Sequence, residues 1–283
     1  MPNEPMKNTV NWKVFAILFI LYFFSAALTM PYRIDIAFQV RPMEFEIESL
    51  IHIYIAALSN PLPAGIMFFV LSLGLWFSAQ VGLETPLLNA WISREPSLKL
   101  FKDIFWSSFK IGLFLFFLCV ILDGIMVSLG LIHIIPEIRA SQSPEFISFH
   151  LGTGVSQFWK IAYFTFSSID NEFSWRLFAM GFIVFLLQKI CSYLKTRQEF
   201  ATILVGILMA AFCSTLFNLP KQKIFLVWTT MGIVRSFILL FGTETVFGFL
   251  YWRRGLESAI LCNLFFSFFR EIAFALAQHL IWI

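Results

Sequence analysis

Residues 111–122 read IGLFLFFLCVIL and contain no charged side chain. Two longer stretches, 14–30 and 62–83, are also uncharged. A helix needs about 20 mainly apolar residues to cross a hydrocarbon core about 30 Å thick. Only helices and closed barrels satisfy their backbone hydrogen bonds in lipid, and no segment alternates as barrel strands do. The sequence therefore predicts an all-α, polytopic transmembrane helical bundle.

The composition of the whole chain agrees with this prediction. Of 283 residues, 59% are hydrophobic and only 13% are charged, and the mean hydropathy is +0.81. Soluble domains carry about a quarter charged residues. The net charge of +3 is too small to indicate a polyanionic partner, so nucleic acid is not expected. The lipid bilayer is the partner that this composition predicts for the chain. No linker or internal repeat divides the chain, which is predicted to form a single domain, 1–283.

Seven spans are predicted, within a range of six to eight: 14–30, 62–82, 108–132, 158–194, 200–217, 224–250 and 256–281. The fourth is longer than one crossing needs. The first lacks a small-residue cleavage site before the Pro31 boundary, so it is interpreted as a retained helix and not as a signal peptide. Residues 43–58 mix glutamates with apolar residues and are predicted to form an interfacial helix.

The distribution of Lys and Arg favours a cytoplasmic N-terminus, because these residues accumulate in cytoplasmic loops. In that orientation, ten cations fall in inside segments: Lys7, Lys13, Arg94, Lys99, Lys102, Lys189, Lys195, Arg197, Arg253 and Arg254. The outside segments carry five: Arg33, Arg41, Arg139, Lys221 and Lys223.

The cysteines and histidines give no sign of a disulfide framework or a metal site. All four cysteines lie in apolar stretches without CxxC spacing, which is typical of small hydrophobic side chains within spans: Cys119, Cys191, Cys213 and Cys262. Four scattered histidines without paired carboxylates do not form a zinc pattern. Neither a metal nor a cofactor is expected.

Several charged residues lie within the predicted spans: Asp123, Asp170, Glu172, Arg176, Arg235, Glu244, Arg270 and Glu271. Such charges are costly in lipid and usually face the protein interior or a watery cavity. Glu172 and Arg176 share a helix face and are predicted to pair. Asn263, Ser267 and Arg270 follow i, i+4, i+7 spacing and form a polar stripe, which Glu271 adjoins. Pairing and hydrogen bonding between helices would explain any one of these polar groups alone. A shared polar cavity would explain why they cluster in the late helices.

Three segments of the second half resemble a known family. Residues 171–178 read NEFSWRLF, residues 212–220 read FCSTLFNLP, and residues 247–263 read FGFLYWRRGLESAILCN. They are similar, in order and spacing, to the EExxxR, FxxxH and Gly-Leu-x-x-Ala-Ile-plus-HxxxN motifs of the CPBP family (CAAX protease and bacteriocin-processing, or Abi). This family comprises glutamate-type intramembrane proteases. The resemblance covers residues 155–270 and implies a CPBP-like core there, in a bacterial inner membrane.

The resemblance also implies a site. In the family, the first Glu of the EExxxR motif activates a water molecule, two His residues assist, and an Asn stabilises the oxyanion. In this chain the lead Glu position is Asn171 and the two His positions are Asn218 and Asn263. The oxyanion Asn position is Ser267. The second Glu and the Arg of the motif are retained.

These replacements predict that peptidase activity is lost or strongly altered. An Asn amide has no useful basicity, and it donates and accepts hydrogen bonds without carrying a proton. Among the motif positions, Glu172 and Arg176 remain as candidate catalytic residues, with Arg270 and Glu271 as further cavity candidates. Glu172 could replace the missing base, although pairing with Arg176 would weaken it. Alternatively, His133 or His150 could enter from the preceding loop.

Three functions remain open at this point. The first is a CPBP-fold protein without proteolysis that binds membrane-anchored peptides, proteins or transmembrane helices. The second is an active intramembrane endopeptidase that processes membrane-anchored or lipidated substrates. The third is a small transporter or channel subunit, which the sequence favours least because no paired broken helices mark inverted repeats.

Overall fold

The computed structural model describes residues 11–40, 61–95, 97–130, 154–193, 199–220 and 229–281. Within these ranges all regular structure is helical, and no strand occurs. Six of the helices are long and apolar enough to cross a membrane. The prediction of an all-α, multi-pass helical bundle is therefore confirmed.

The helices are numbered in chain order. They are α1 (Trp12–Val40), α2 (Pro61–Gln80), α3 (Pro86–Ile92), α4 (Leu98–Ser128), α5 (Gly154–Glu172), the π-helix π1 (Phe173–Met180), α6 (Gly181–Tyr193), α7 (Glu199–Asn218), α8 (Thr230–Arg254) and α9 (Leu256–Ile281). The segments α5, π1 and α6 follow one another without a break, so the long fourth span is one helical run with a π-helix inside it.

The seventh predicted span, 256–281, forms helix α9. It is not among the six apolar helices found within the described residues, where it carries Glu257, Arg270 and Glu271. Helix α4 begins at Leu98, ten residues before the predicted start, and its first turns carry charges. The predicted interfacial helix 43–58 lies outside the described residues.

Helix α1 also departs from its predicted boundary. It continues through Pro31 to Val40. Proline removes one backbone donor, but membrane helices tolerate it because neighbouring helices and Ser or Thr side chains compensate the freed backbone groups. Two residues before Pro31, Thr29 donates to the carbonyl of Ala26 at 3.1 Å. The apolar part of this helix ends at Tyr32, close to the predicted limit.

Side-chain contacts fix the relative directions of the helices. Ser25 donates to the carbonyl of Phe166 and Tyr32 contacts Tyr163, so α1 and α5 run antiparallel. Ser108 bonds to Ser258 and Phe116 contacts Phe269, so α4 and α9 run parallel. The same reasoning places seven helix ends together: the N-termini of α1, α4, α7 and α9 and the C-termini of α2, α6 and α8. We call this the basic end, because the cations of the inside segments that lie in described residues gather there.

Helix α2 packs closely against π1. Gly74 and Gly181 both lie at this contact, and a Cβ atom on Gly74 would lie 2.9 Å from Cγ of Leu177. Ser78 donates to the carbonyl of Leu177 at 3.2 Å and accepts a hydrogen bond from the Tyr251 hydroxyl at 2.7 Å. Small residues allow membrane helices to approach closely, and polar side chains then join them. Ser78 therefore links three helices: α2, π1 and α8.

The turn between α8 and α9 packs against the short helix α3. Gly255 has φ +90 and its Cα lies so close to Pro86 that any side chain would clash. A residue with this backbone conformation is most easily glycine. Glu257 accepts a hydrogen bond from the backbone N–H of Leu88 at 2.9 Å. The carboxylate therefore satisfies a free donor in the first turn of α3.

Helix α4 joins α8 through one ion pair. Arg235 Nε donates to Asp123 Oδ1 at 2.7 Å, and the second guanidinium nitrogen pairs with Oδ2. This two-point geometry is the strong form of an Arg–carboxylate contact. It pairs two of the intramembrane charges that the sequence singled out.

We expect Gly74→Ala to destabilise the bundle by about 1–3 kcal/mol, because the added methyl group overpacks the contact with Leu177. Gly65→Ala on the same helix is the matched control, since a Cβ there meets nothing within 4 Å. Thermal unfolding of the purified protein in detergent measures both. Equal midpoints for the two variants would contradict the close α2–π1 contact.

Candidate functional site

The site begins where α5 passes into π1. Glu172 is the last residue of α5, and Arg176 lies one turn further in π1. Arg176 Nε and Glu172 Oε2 are 3.7 Å apart, and each side chain is only 1% exposed. The predicted i, i+4 pair is therefore confirmed. Burial of both partners makes this pair very different from a surface ion pair, because neither charge is solvated by water.

Arg176 has a second carboxylate partner from another helix. One of its guanidinium nitrogens forms an ion pair with Glu244 of α8. The guanidinium carbon also lies 5.9 Å from the centre of the Phe247 ring. The cation is thus placed between two carboxylates and above an aromatic ring, an arrangement that compensates a buried guanidinium.

Helix α9 completes the cluster with two neutral side chains. Asn263 Nδ2 donates to Glu172 Oε1 at 2.7 Å, and Ser267 donates to Asn263 Oδ1 at 3.3 Å. Both side chains are buried. We call Glu172, Arg176, Glu244, Asn263 and Ser267 the buried cluster. Three parts of the chain converge in it: the α5–π1 junction, α8 and α9.

The other two substituted motif positions lie at helix ends: Asn171 is next to Glu172 at the end of α5, and Asn218 is the last residue of α7. Asn218 Nδ2 donates within its own helix, to the carbonyl and the hydroxyl of Ser214 at 3.0 and 3.3 Å. Asn171 is half-buried, and in the described ranges no side-chain hydrogen bond joins it to the cluster. The segment 212–220 is nevertheless adjacent, because the Phe217 ring lies 5.7 Å from that of Trp175.

The polar stripe of α9 is extended by a buried carboxylate. Glu271 is buried and continues the i, i+4 series of Asn263 and Ser267. Arg270, seven residues beyond Asn263, pairs with Glu271 at 3.1 Å, and its side chain is 47% exposed. The predicted i, i+4, i+7 spacing therefore holds in the helix, while the end of the long Arg270 side chain reaches outward. Of the two cavity candidates, Glu271 is the buried one.

This arrangement restricts the chemistry open to Glu172. One carboxylate oxygen accepts from the Asn263 amide and the other faces Arg176. The side chain is nearly inaccessible, so neither water nor a substrate carbonyl reaches it in this conformation. Asn263 supplies no basic nitrogen to relay a proton. In the part of the chain that the structure describes, no three His, Cys, Asp or Glu side chains converge as metal ligands.

An apolar groove opens between α7 and α8. Its volume is about 310 Å³. Its lining side chains are Val205, Leu208, Met209, Phe212, Cys213 and Phe241. None presents polar surface in the groove. Phe212 and Cys213 are also the first residues of the segment 212–220, so the groove is continuous with the second motif segment.

Sequence reasoning missed two features of the site. It noted Glu244 as an intramembrane charge but did not pair it with Arg176, although Glu244 is one of only two charges in residues 230–252. It also missed π1. Nothing in residues 173–180 distinguishes a π-helix from an α-helix, yet such segments are frequent at functional sites. Both features depend on contacts between distant parts of the chain.

Comparison with known proteins adds no further identification. No family model, no curated protein and no solved structure matches the chain.

We expect Arg176→Gln to destabilise the protein by about 3 kcal/mol, because it leaves two buried carboxylates without their cation. Adding Glu244→Gln should recover part of that loss by removing one of the two negative charges. Arg270→Gln is the control, since a half-exposed pair is worth at most about 1 kcal/mol. Unfolding midpoints in detergent give all three values. A double variant less stable than Arg176→Gln alone would contradict the described pairing.

Proposed function

We propose that this chain is a CPBP-like protein of a bacterial inner membrane that has lost peptidase activity and binds membrane-anchored peptides or transmembrane helices. Two kinds of observation support the proposal. The three segments that resemble the family motifs are neighbours in the fold. In addition, the positions that carry reactive groups in the family carry amides and a hydroxyl here.

The hydrogen bond from Asn263 to Glu172 is the observation on which the proposal depends. The family resemblance puts a proton-carrying His at position 263. An amide at this position instead donates a fixed hydrogen bond to the one retained acidic side chain. The bond stabilises the carboxylate and occupies an oxygen that a base would need free. General acid–base catalysis is worth roughly 10²–10⁴-fold in rate, and an Asn at position 263 supplies no proton relay for it.

The apolar groove is the surface that we propose for the bound segment. It adjoins the segment 212–220, lies between two helices apolar enough to span the membrane, and offers no polar group. A segment in lipid must satisfy its own backbone hydrogen bonds, so its occupant would be a helix that inserts apolar side chains. Cys213 provides a chemical handle inside the groove, and Cys191 provides one outside it.

We expect the purified protein in detergent to leave a fluorogenic farnesylated CAAX peptide intact, and Glu172→Ala to give the same baseline. The physical reason is that the retained carboxylate is buried and held by Asn263 and Arg176. Release of fluorophore is measured against an enzyme-free control. Turnover by the wild-type protein that disappears in Glu172→Ala would overturn the proposal in favour of an active endopeptidase.

We expect a synthetic Leu/Ala transmembrane peptide with one central cysteine to form a disulfide with Cys213 when both are reconstituted in vesicles and oxidised with copper phenanthroline. The cross-link should disappear in Cys213→Ser and persist in Cys191→Ser, the matched control. Leu208→Trp should reduce it severalfold by filling the groove, whereas Leu204→Trp, on the same helix but outside the lining, should not. Equal cross-linking in the two cysteine variants would argue against a specific groove.

A further inference from the structure

The basic end of the bundle carries a surface that the proposed function does not use. Five of the exposed cations there lie on two helix ends and one loop, and we call them the basic face: Arg94, Lys99, Lys102, Arg253 and Arg254. Three exposed acidic residues lie among them: Glu84, Glu95 and Asp103. The face therefore has an excess of positive charge.

The elements that carry the basic face are joined by contacts in the protein. The backbone N–H of Leu256 donates to the carbonyl of Glu84 at 3.3 Å, next to the contact between Gly255 and Pro86. The start of α4 is held against the start of α9 because the Ser108 hydroxyl donates to the carbonyl of Ser258 at 3.1 Å. These contacts keep the loop with Arg94, the first turns of α4 and the end of α8 in a fixed arrangement.

Aromatic side chains indicate the level of this face relative to a bilayer. The Arg253 guanidinium carbon lies 4.0 Å from the centre of the Trp252 ring. Trp252 in turn contacts Phe200 of α7 at 5.5 Å. Trp91 of α3 is 63% exposed. Trp residues are enriched at the level of the lipid headgroups, so the cations beside them are at the depth of lipid phosphates.

We propose that the basic face binds the headgroups of anionic phospholipids in the leaflet at the basic end. The cations of the basic face complement lipid phosphates in charge and in hydrogen-bonding geometry. Arg side chains bind phosphate through two parallel N–H donors, and Lys binds it as a point charge. Clusters of four to eight Lys or Arg residues next to a membrane helix attract anionic lipids. The contacts around Gly255 fix the backbone here, so little loop ordering opposes binding.

The test uses the full chain in mixed micelles that contain equal amounts of phosphatidylglycerol and phosphatidylcholine. Native mass spectrometry counts the lipids of each kind that remain bound. We expect a clear preference for phosphatidylglycerol in the wild-type protein. Arg253→Gln with Arg254→Gln should lower the preference about fivefold for each cation removed, since one cation near an anionic surface is worth about 1 kcal/mol. Lys99→Gln with Lys102→Gln should act in the same direction without touching the Trp252 contact.

Glu95→Gln is the matched control, because it removes a charge of the opposite sign from the same face and should raise the preference. Unfolding midpoints in phosphatidylcholine micelles should stay equal for all variants. Equal retention of both lipids by the wild-type protein, or an unchanged preference in both double variants, would overturn the proposal. Full competition by soluble glycerol phosphate would also overturn it, since the face would then bind free anions and not a lipid.

Discussion

The buried guanidinium of Arg176 is the group on which the rest of this structure depends. Lipid tails are as apolar as leucine, so helices in a membrane do not associate by hydrophobic burial, and packing and polar contacts must hold them together. Arg176 joins the α5–π1 junction to α8 through Glu244, and its other partner, Glu172, reaches α9 through Asn263. Three helical elements are thus arranged around one positive charge. The tight α2–π1 contact between Gly74 and Leu177 involves the residue that directly follows Arg176 in the π-helix, and it adds a fourth.

The bonds that stabilise this centre also limit its chemistry. A carboxylate that serves as a base needs a free oxygen and access to water. Glu172 has no access to water in this conformation, because its side chain is only 1% exposed; one oxygen accepts from Asn263, and the other faces Arg176 without a hydrogen bond. The same geometry would be expensive for a transport pathway, in which charges face a water-filled cavity. A centre of this kind suits a protein that holds its shape in the bilayer and presents its outer surfaces to other molecules.

Much of the fold could be predicted from sequence, and the reasons differ between elements. Long apolar segments must become helices in lipid, and Glu172 and Arg176 are close enough along the chain for their pairing to be visible as spacing. Glu244 lies 68 residues from Arg176, and no local pattern records that partner. The burial of Glu271, as opposed to the exposed end of Arg270, depends on how α9 packs in the bundle, and no local spacing records it. Pro31 was overestimated as a boundary because proline ends helices in water more readily than in lipid.

The contact between Asp123 and Arg235 has a consequence for how the protein is made. Helices leave the ribosome in order, and Arg235 is synthesised 112 residues after Asp123. Helix α4 is therefore synthesised before α8, which carries Arg235, and before α9. Only 11% of the apolar stretch of α4 is buried even in the folded protein. Exposure of this helix to lipid before the later helices arrive therefore costs little free energy. Asp123 lies near the end of α4, where a carboxylate can stay hydrated until its partner arrives. The position of Asp123 near the end of α4 is therefore compatible with assembly in which α8 and α9 join α4 later.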